Sequence, residues 1–112
     1  MNFLRELRVK NQERQRLWPG NENIDVLFRA VEFSGESGEL MNAVKKIYRL
    51  ENEVAGNTAQ RQELRQNLLD EIGDVLITLD NLAAEYDIDI EEVTKLKFNK
   101  TSHKVGISVF FD

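Results

Sequence analysis

The sequence predicts an all-α protein, with four helices in a four-helix-bundle-like arrangement and a short apolar C-terminal tail. Three observations lead there. Leu64, Leu68, Ile72, Val75, Leu79 and Leu82 recur at spacings of three and four, the period of a single helix face. Breakers separate the other stretches, Trp18-Pro19-Gly20-Asn21 early on and Gly56-Asn57 near the middle. Asp89 followed by Glu92 has the pattern of an N-cap with a glutamate three residues on, which opens one further helix.

In chain order, the first helix covers residues 2 to 18, rich in Arg, Glu and Gln, with Phe3, Leu4, Leu7 and Leu17 as its sparse apolar positions. The second runs from about Ile24 to Leu50 and carries Leu27, Val31, Leu40, Val44 and Ile47. Gly35 and Gly38 lie inside it. Glycine within a helix costs about 1 kcal/mol relative to alanine, so a ligand or another helix is expected close against them. Residues 51 to 60 form a polar loop. The third helix spans roughly 61 to 86 and the fourth extends from Asp89 to about Thr101. Residues 105 to 112 are apolar and β-prone.

With 112 residues, the chain is expected to be one domain over 1–112. A chain of this size buries about 60–70% of its extended surface, so a small core is expected, with self-association as a homodimer or homotetramer covering the rest. Zero cysteines exclude a disulfide scaffold and a thiolate metal site. Charges sit in the first turns, and no apolar run is long enough for a signal peptide or a membrane span, which points to a soluble, cytoplasmic protein without a membrane partner. A net charge of −5 with dispersed basic residues disfavours nucleic acid as a partner.

The chemistry lies in two acidic pairs, Glu36 with Glu39 and Glu71 with Asp74, each three residues apart on a helix-forming stretch. Members of such a pair occupy adjacent turns of one face. At about 100° per residue, Glu71 shares its azimuth with Leu64, Leu68, Val75 and Leu82, while Asp74 falls at the edge of that apolar arc. Glu36 lies beside Ile47, Leu40 and Phe33, with Glu39 at the margin. The bland alternative is a solvated acidic face. Two pairs on the inward edges of two helices argue against it, because an ionised carboxylate buried unpaired costs several kcal/mol. Paired, protonated or metal-bound are the remaining states. Oxygen-only ligands favour Mg²⁺ or Mn²⁺.

Around these acids the sequence resembles the MazG-type nucleoside triphosphate pyrophosphohydrolases, an all-α group that also holds dimeric dUTPases, dCTP pyrophosphatases and phosphoribosyl-ATP pyrophosphohydrolases. The resemblance covers about residues 18 to 104. Gly35-Glu36-Ser37-Gly38-Glu39-Leu40 is similar to the family's E-x-G-E-L segment, and Glu71-Ile72-Gly73-Asp74-Val75-Leu76 to its E-x-x-D-V-L segment. Ala83-Ala84 and Ile88-Asp89-Ile90 follow in the same order. The tail signature K-x-x-K-N-x-x-R departs from the family pattern, with Thr101 in place of the asparagine and Lys104 in place of the arginine.

The resemblance implies that Glu36, Glu39, Glu71 and Asp74 are the metal ligands and catalytic acids. It also implies that the substrate is a nucleoside triphosphate, cleaved with Mg²⁺ to monophosphate and pyrophosphate in nucleotide-pool house-cleaning. Lysines of the second helix and the tail would contact phosphates, which selects Lys46, Lys97 and Lys100. Thr78 and Asn81 continue the Glu71/Asp74 face at plus four and plus seven from Asp74. Trp18 would stack on the base, as an aromatic does in some relatives. Each has a plainer alternative: a solvated lysine, a polar cap over the core, a charged last helical turn, or a hydrophobic lid. Two other readings keep the same fold, a phosphoribosyl-ATP pyrophosphohydrolase and a catalytically silent nucleotide- or partner-binding bundle. The sequence supplies no nucleophile, having no cysteine and a single histidine, His103, near its C-terminal end.

Overall fold

The computed structural model describes residues 2–57 and 59–112; Met1 and Thr58, the latter within the polar loop, lie outside the described residues. Four α-helices carry the chain, and no strand occurs among the described residues. Helix α1 is Phe3–Leu17, begun by Asn2, whose side chain accepts from the Arg5 N–H at 3.0 Å. It stops at Trp18, and the chain turns through Gly20 in a left-handed conformation (φ 85°) into a 3₁₀ turn at Asn21–Asn23. Helix α2, Val26–Glu51, starts two residues later than the apolar pattern suggests. The reason is Asp25, which caps it by accepting from the Phe28 N–H at 2.9 Å. Helix α3 is Arg61–Glu85. Helix α4, Ile90–Val105, uses the expected Asp89 cap and runs past Thr101 to Gly106, which ends it at φ 74°.

Helices α2 and α3 form the main packed unit, a long hairpin; α1 crosses α3, and α4 rests on α1 rather than on the hairpin. The loop between α2 and α3 is folded back by Asn57, whose side-chain amide donates to the Lys46 carbonyl at 3.0 Å. The α1 docking surface is polar. Asp80 of α3 is 2% exposed and accepts from Arg8 Nε at 3.0 Å and Asn11 Nδ2 at 2.9 Å. Arg8 also donates through Nη2 to the Ile88 carbonyl at 2.6 Å, so one side chain joins α1, α3 and the turn before α4. Farther along, Arg5 pairs with Asp89 and Glu91, and Asn2 donates to Glu91.

The apolar positions are far less covered than their periodicity suggests. Ala43 and Leu64 are the buried hydrophobic residues among those described. Leu68, Val75, Leu79 and Leu82 of α3 are half-buried. Leu27, Val31 and Val44, apolar positions of the second helix, are exposed. The radius of gyration is 17.6 Å, against about 13 Å for a compact chain of this length. The accessible surface is 8495 Å², against about 6,300 Å² for a compact monomer of this mass.

Nothing lies within 4 Å of a Cβ built on Gly35 or Gly38, so neither glycine marks a close approach within the chain. The β-prone tail forms no strand and instead returns along α4. Asn99 holds the Phe111 backbone from both sides, donating to its carbonyl at 2.8 Å and accepting from its N–H at 2.7 Å. Phe111 meets Phe98 edge to face with ring centroids 4.9 Å apart. No helix among the described residues is long and apolar enough to cross a membrane.

Candidate metal centre

Midway along the hairpin, Glu36 of α2 faces Glu71 and Asp74 of α3. Each offers one carboxylate oxygen, and the three oxygens lie within 4.8 Å of one another. Glu36 and Glu71 are half-buried, whereas Glu39 and Asp74 are exposed. The helices bring this about because Glu36 and Glu71 lie on the apolar arcs that zip α2 to α3, while Glu39 and Asp74 lie one turn away at the open margin. Glu39 is outside the tight trio, yet its carboxyl abuts those of both Glu36 and Glu71.

The electrostatics are those of clustered carboxylates with no counter-charge among the described residues. Glu36 Oε2 and Glu71 Oε2 are fully buried and have no hydrogen-bond partner. A carboxyl-to-carboxyl hydrogen bond with Glu39 exists only when one of the groups is protonated, so ionised they have no donor. Desolvation, followed by the charges of Glu39 and Asp74, pushes Glu36 up from its ordinary 4.5 to about 7. Glu71 is raised by the same causes in the same order. No lysine or arginine forms an ion pair with these four acids among the described residues. Unpaired buried carboxylate oxygens of this kind are normally protonated or metal-bound. The donor set is all hard oxygen, which fits a divalent cation such as Mg²⁺ or Mn²⁺ and not a thiolate- or imidazole-seeking metal.

A carboxyl raised in the fold contributes stability that is fully present below its unfolded pKa and is lost as pH rises through its folded pKa. In EDTA the melting temperature should therefore fall, on account of Glu36, across the window from 4.5 to about 7. Glu36→Gln should flatten that part of the profile. Parallel wild-type and variant profiles in thermal scans would show that Glu36 does not titrate in this way.

The other sequence-selected residues are dispersed. Thr78 is buried, and its hydroxyl donates to the Val75 carbonyl at 3.2 Å within its own helix. Asn81 is buried and faces a different cavity, toward α1. Lys46 is half-buried beside the loop. Lys97 and Lys100 are exposed on α4, which packs on α1 and not on the hairpin that carries the acids. Trp18 is 53% exposed at the end of α1. Sequence reasoning missed Arg29, which is 5% exposed and bound to Glu32 and Gln15, and it missed the Arg8–Asn11–Asp80 network. The available signal was an arginine seven residues before Glu36, two turns along the same face.

Comparison with known proteins agrees with this arrangement. The family model described as the MazG nucleotide pyrophosphohydrolase domain matches residues 25–105, which include all four acids and exclude Trp18. The chain is similar to the Gene 37 protein of Mycobacterium phage L5, at 39% identity over 66 residues, or 59% of this chain. That alignment spans 54% of the phage protein, about half its length. No solved structure matches.

Proposed function

Since the chain belongs to the MazG nucleotide pyrophosphohydrolase domain family, we propose that it hydrolyses a nucleoside or deoxynucleoside triphosphate to the monophosphate and pyrophosphate, as a house-cleaning activity on the nucleotide pool. The observation that carries this reading is the carboxylate cluster inside the family-matched segment, with two buried oxygens that have no hydrogen-bond partner among the described residues. Glu36, Glu39, Glu71 and Asp74 would hold Mg²⁺, with Mn²⁺ as a substitute. Such an ion supplies Lewis acidity and offsets the negative charge of the phosphates.

The chain's own contribution is to assemble four carboxylates with no ion-paired lysine or arginine among the described residues and to shield two of their oxygens from water. Attack by water at the α-phosphorus forms one P–O bond and breaks the bond to the bridging oxygen, which leaves with pyrophosphate. One of the four carboxylates accepts the proton of the attacking water. A covalent intermediate is not required, because there is no cysteine and His103 lies on α4 against the tail ring of Phe110. Incubation of a triphosphate panel with Mg²⁺ should release pyrophosphate and monophosphate. Release of orthophosphate and diphosphate instead would refute the proposed bond cleavage.

The working form is proposed to be a homodimer or homotetramer. The chain exposes about 2,000 Å² more than a compact monomer of its mass, an amount that a large obligate interface covers. Lys97 and Lys100, on a helix that does not reach the hairpin of its own chain, would then serve a site completed by a second copy. Light scattering over a dilution series should give at least twice the chain mass at micromolar concentration. A stable species of 13.0 kDa would end this reading.

A further inference from the structure

The C-terminal tail has the form of a strand that lacks a neighbour. Residues 107 to 110 run without helix, turn or bend, and the segment is tied to α4 at its two ends. The Ile107 N–H donates to the Ser102 carbonyl at 2.9 Å, and the Phe111 backbone both donates to and accepts from the Asn99 side chain. Between these ties, Ser108, Val109 and Phe110 have no hydrogen-bond partner for N–H or C=O among the described residues. The composition, Ile-Ser-Val-Phe-Phe, favours a pleated strand.

The ties also fix which edge of the segment is open. In an extended chain successive residues turn their N–H and C=O to alternate edges and their side chains to alternate faces. Ile107 and Phe111 turn theirs toward α4, so Ser108 and Phe110 present theirs to the side away from the helix. The side chains agree with this alternation. Phe111 lies against Phe98 with ring centroids 4.9 Å apart, and Phe110 leans toward His103 at 6.5 Å. Phe98 and His103 are about 140° apart around α4, with Asn99 between them. The tail therefore stands edge-on to α4, and its outer edge carries open donors and acceptors.

Such an edge is a template for a further strand, and the occupant it fits is the same tail of a second copy. In an antiparallel pair about a two-fold axis at Val109, Ser108 of each copy exchanges both backbone hydrogen bonds with Phe110 of the other. The open groups of the two copies thus satisfy one another. That register sets Val109 opposite Val109 and Phe111 opposite Ile107 on one face, which Phe98 of each copy extends; aromatic and β-branched cross-strand pairs of this kind are favourable. It also sets Asp112 opposite Gly106, two residues from Lys104, and neither charge has an ion-pair partner in its own chain among the described residues. Ile107, Val109, Phe110 and Phe111 keep between 46% and 57% of their surface exposed, so the contact has apolar area to cover.

We propose that residues 107–111 form a two-stranded antiparallel ribbon with the same residues of a second copy, joining two chains at the ends of their α4 helices. These residues lie beyond the family-matched segment, and the contact does not depend on the nucleotide reading of the acids.

Disulfide trapping in the full chain tests it, because the chain has no cysteine of its own. Facing residues at a non-hydrogen-bonded pair have Cα atoms about 4.5 Å apart, within disulfide reach. Under mild oxidation Val109→Cys should give a linked dimer at least about tenfold faster than Tyr86→Cys, an exposed position at the end of α3, because pairing raises the effective thiol concentration. Adding Ser108→Pro removes an N–H that the chain itself does not use, so the melting temperature should hold while the rate falls to that of Tyr86→Cys. Hydrogen exchange supplies a second readout: the Ser108 and Phe110 amides should be protected at least about tenfold relative to Val109. Trapping no faster than at Tyr86→Cys, trapping that survives Ser108→Pro, or equal exchange at the three amides would each overturn the proposal. A dimer in light scattering that fails these tests associates through another face, and a monomer with a freely exchanging edge leaves that edge to a different protein; both outcomes overturn it as well. Trapping and alternating protection in a chain that hydrolyses no triphosphate would uphold the ribbon and defeat the catalytic reading.

Discussion

Replacing Asp74 by Asn should lower kcat for triphosphate hydrolysis by roughly 10²-fold or more, the scale of losing one preorganised electrostatic group, while the α2–α3 hairpin stays folded. Asp74 is exposed, so the change opens no cavity. Its charge helps to raise both Glu36 and Glu71. Neutralising it therefore relieves repulsion, and in EDTA the variant should melt no lower than the wild type. The same argument extends to Glu39→Gln, since Glu39 is the first charge raising each of those groups after desolvation. A useful control is Asp70→Asn on α3, whose carboxylate accepts from Gln66 at 2.9 Å on the exposed face; it should leave turnover unchanged. Wild-type turnover of Asp74→Asn at saturating metal would remove Asp74 from the site.

Asp80→Ala should have the largest effect on stability, about 3–5 kcal/mol, the range for breaking one side of a buried charge pair. The carboxylate is almost completely enclosed and satisfies two donors, Arg8 Nε and Asn11 Nδ2, and Asn11 is itself 2% exposed. Without Asp80 the Arg8 guanidinium, whose side chain is 17% exposed, loses its counter-charge. Asn11 keeps only a 3.3 Å contact with the Ile77 carbonyl. Total stabilities of about 5–15 kcal/mol are usual for such proteins, so the variant should be close to unfolding at ambient temperature. Arg8→Met combined with Asp80→Leu should recover part of the loss, because both charges leave together. Urea titrations at pH 7 read both results. A cost below about 1 kcal/mol for Asp80→Ala, the scale of an exposed pair, would mean that α1 is docked by something other than this network.

Local signals in the sequence were strong where the structure depends on a single helix. The three-and-four spacing of α3 fixed its register, the Asp89–Glu92 pattern located the start of α4, and the acid spacing placed the pairs at the margins of two apolar arcs. Periodicity identifies which residues share a face; it does not say what covers that face. Hence Leu27, Val31 and Val44 of the second helix are exposed, and Gly35 and Gly38, where a ligand or another helix was expected, have no helix within 4 Å among the described residues. The docking of α1 was illegible for a different reason. Its few apolar residues gave no amphipathic stripe, because the helix is held by Arg8 and Asn11 reaching an aspartate about 70 positions away. Hydrogen bonds of that range leave no periodic trace. Lys97 and Lys100 were selected by their place in a motif, and the direction in which α4 leaves the hairpin was not encoded in that spacing.

The contacts of α1 also bear on how the chain acquires its shape. Asn2 bonds to Glu91, 89 positions later, Arg5 to Asp89 and Arg8 to the Ile88 carbonyl. During synthesis α1 precedes these partners, which lie 80 to 89 residues farther along the chain and emerge correspondingly later. The hairpin, joined by a short loop, can zip locally in the meantime. Closing the α1 contacts is a loop closure of high contact order, which belongs late in folding. A helix that waits so long is safer when polar, since exposed apolar surface on a nascent chain invites aggregation. The sparse hydrophobic content of α1 thus suits its place in the order of assembly, and its amides should gain protection from hydrogen exchange after those of α2 and α3.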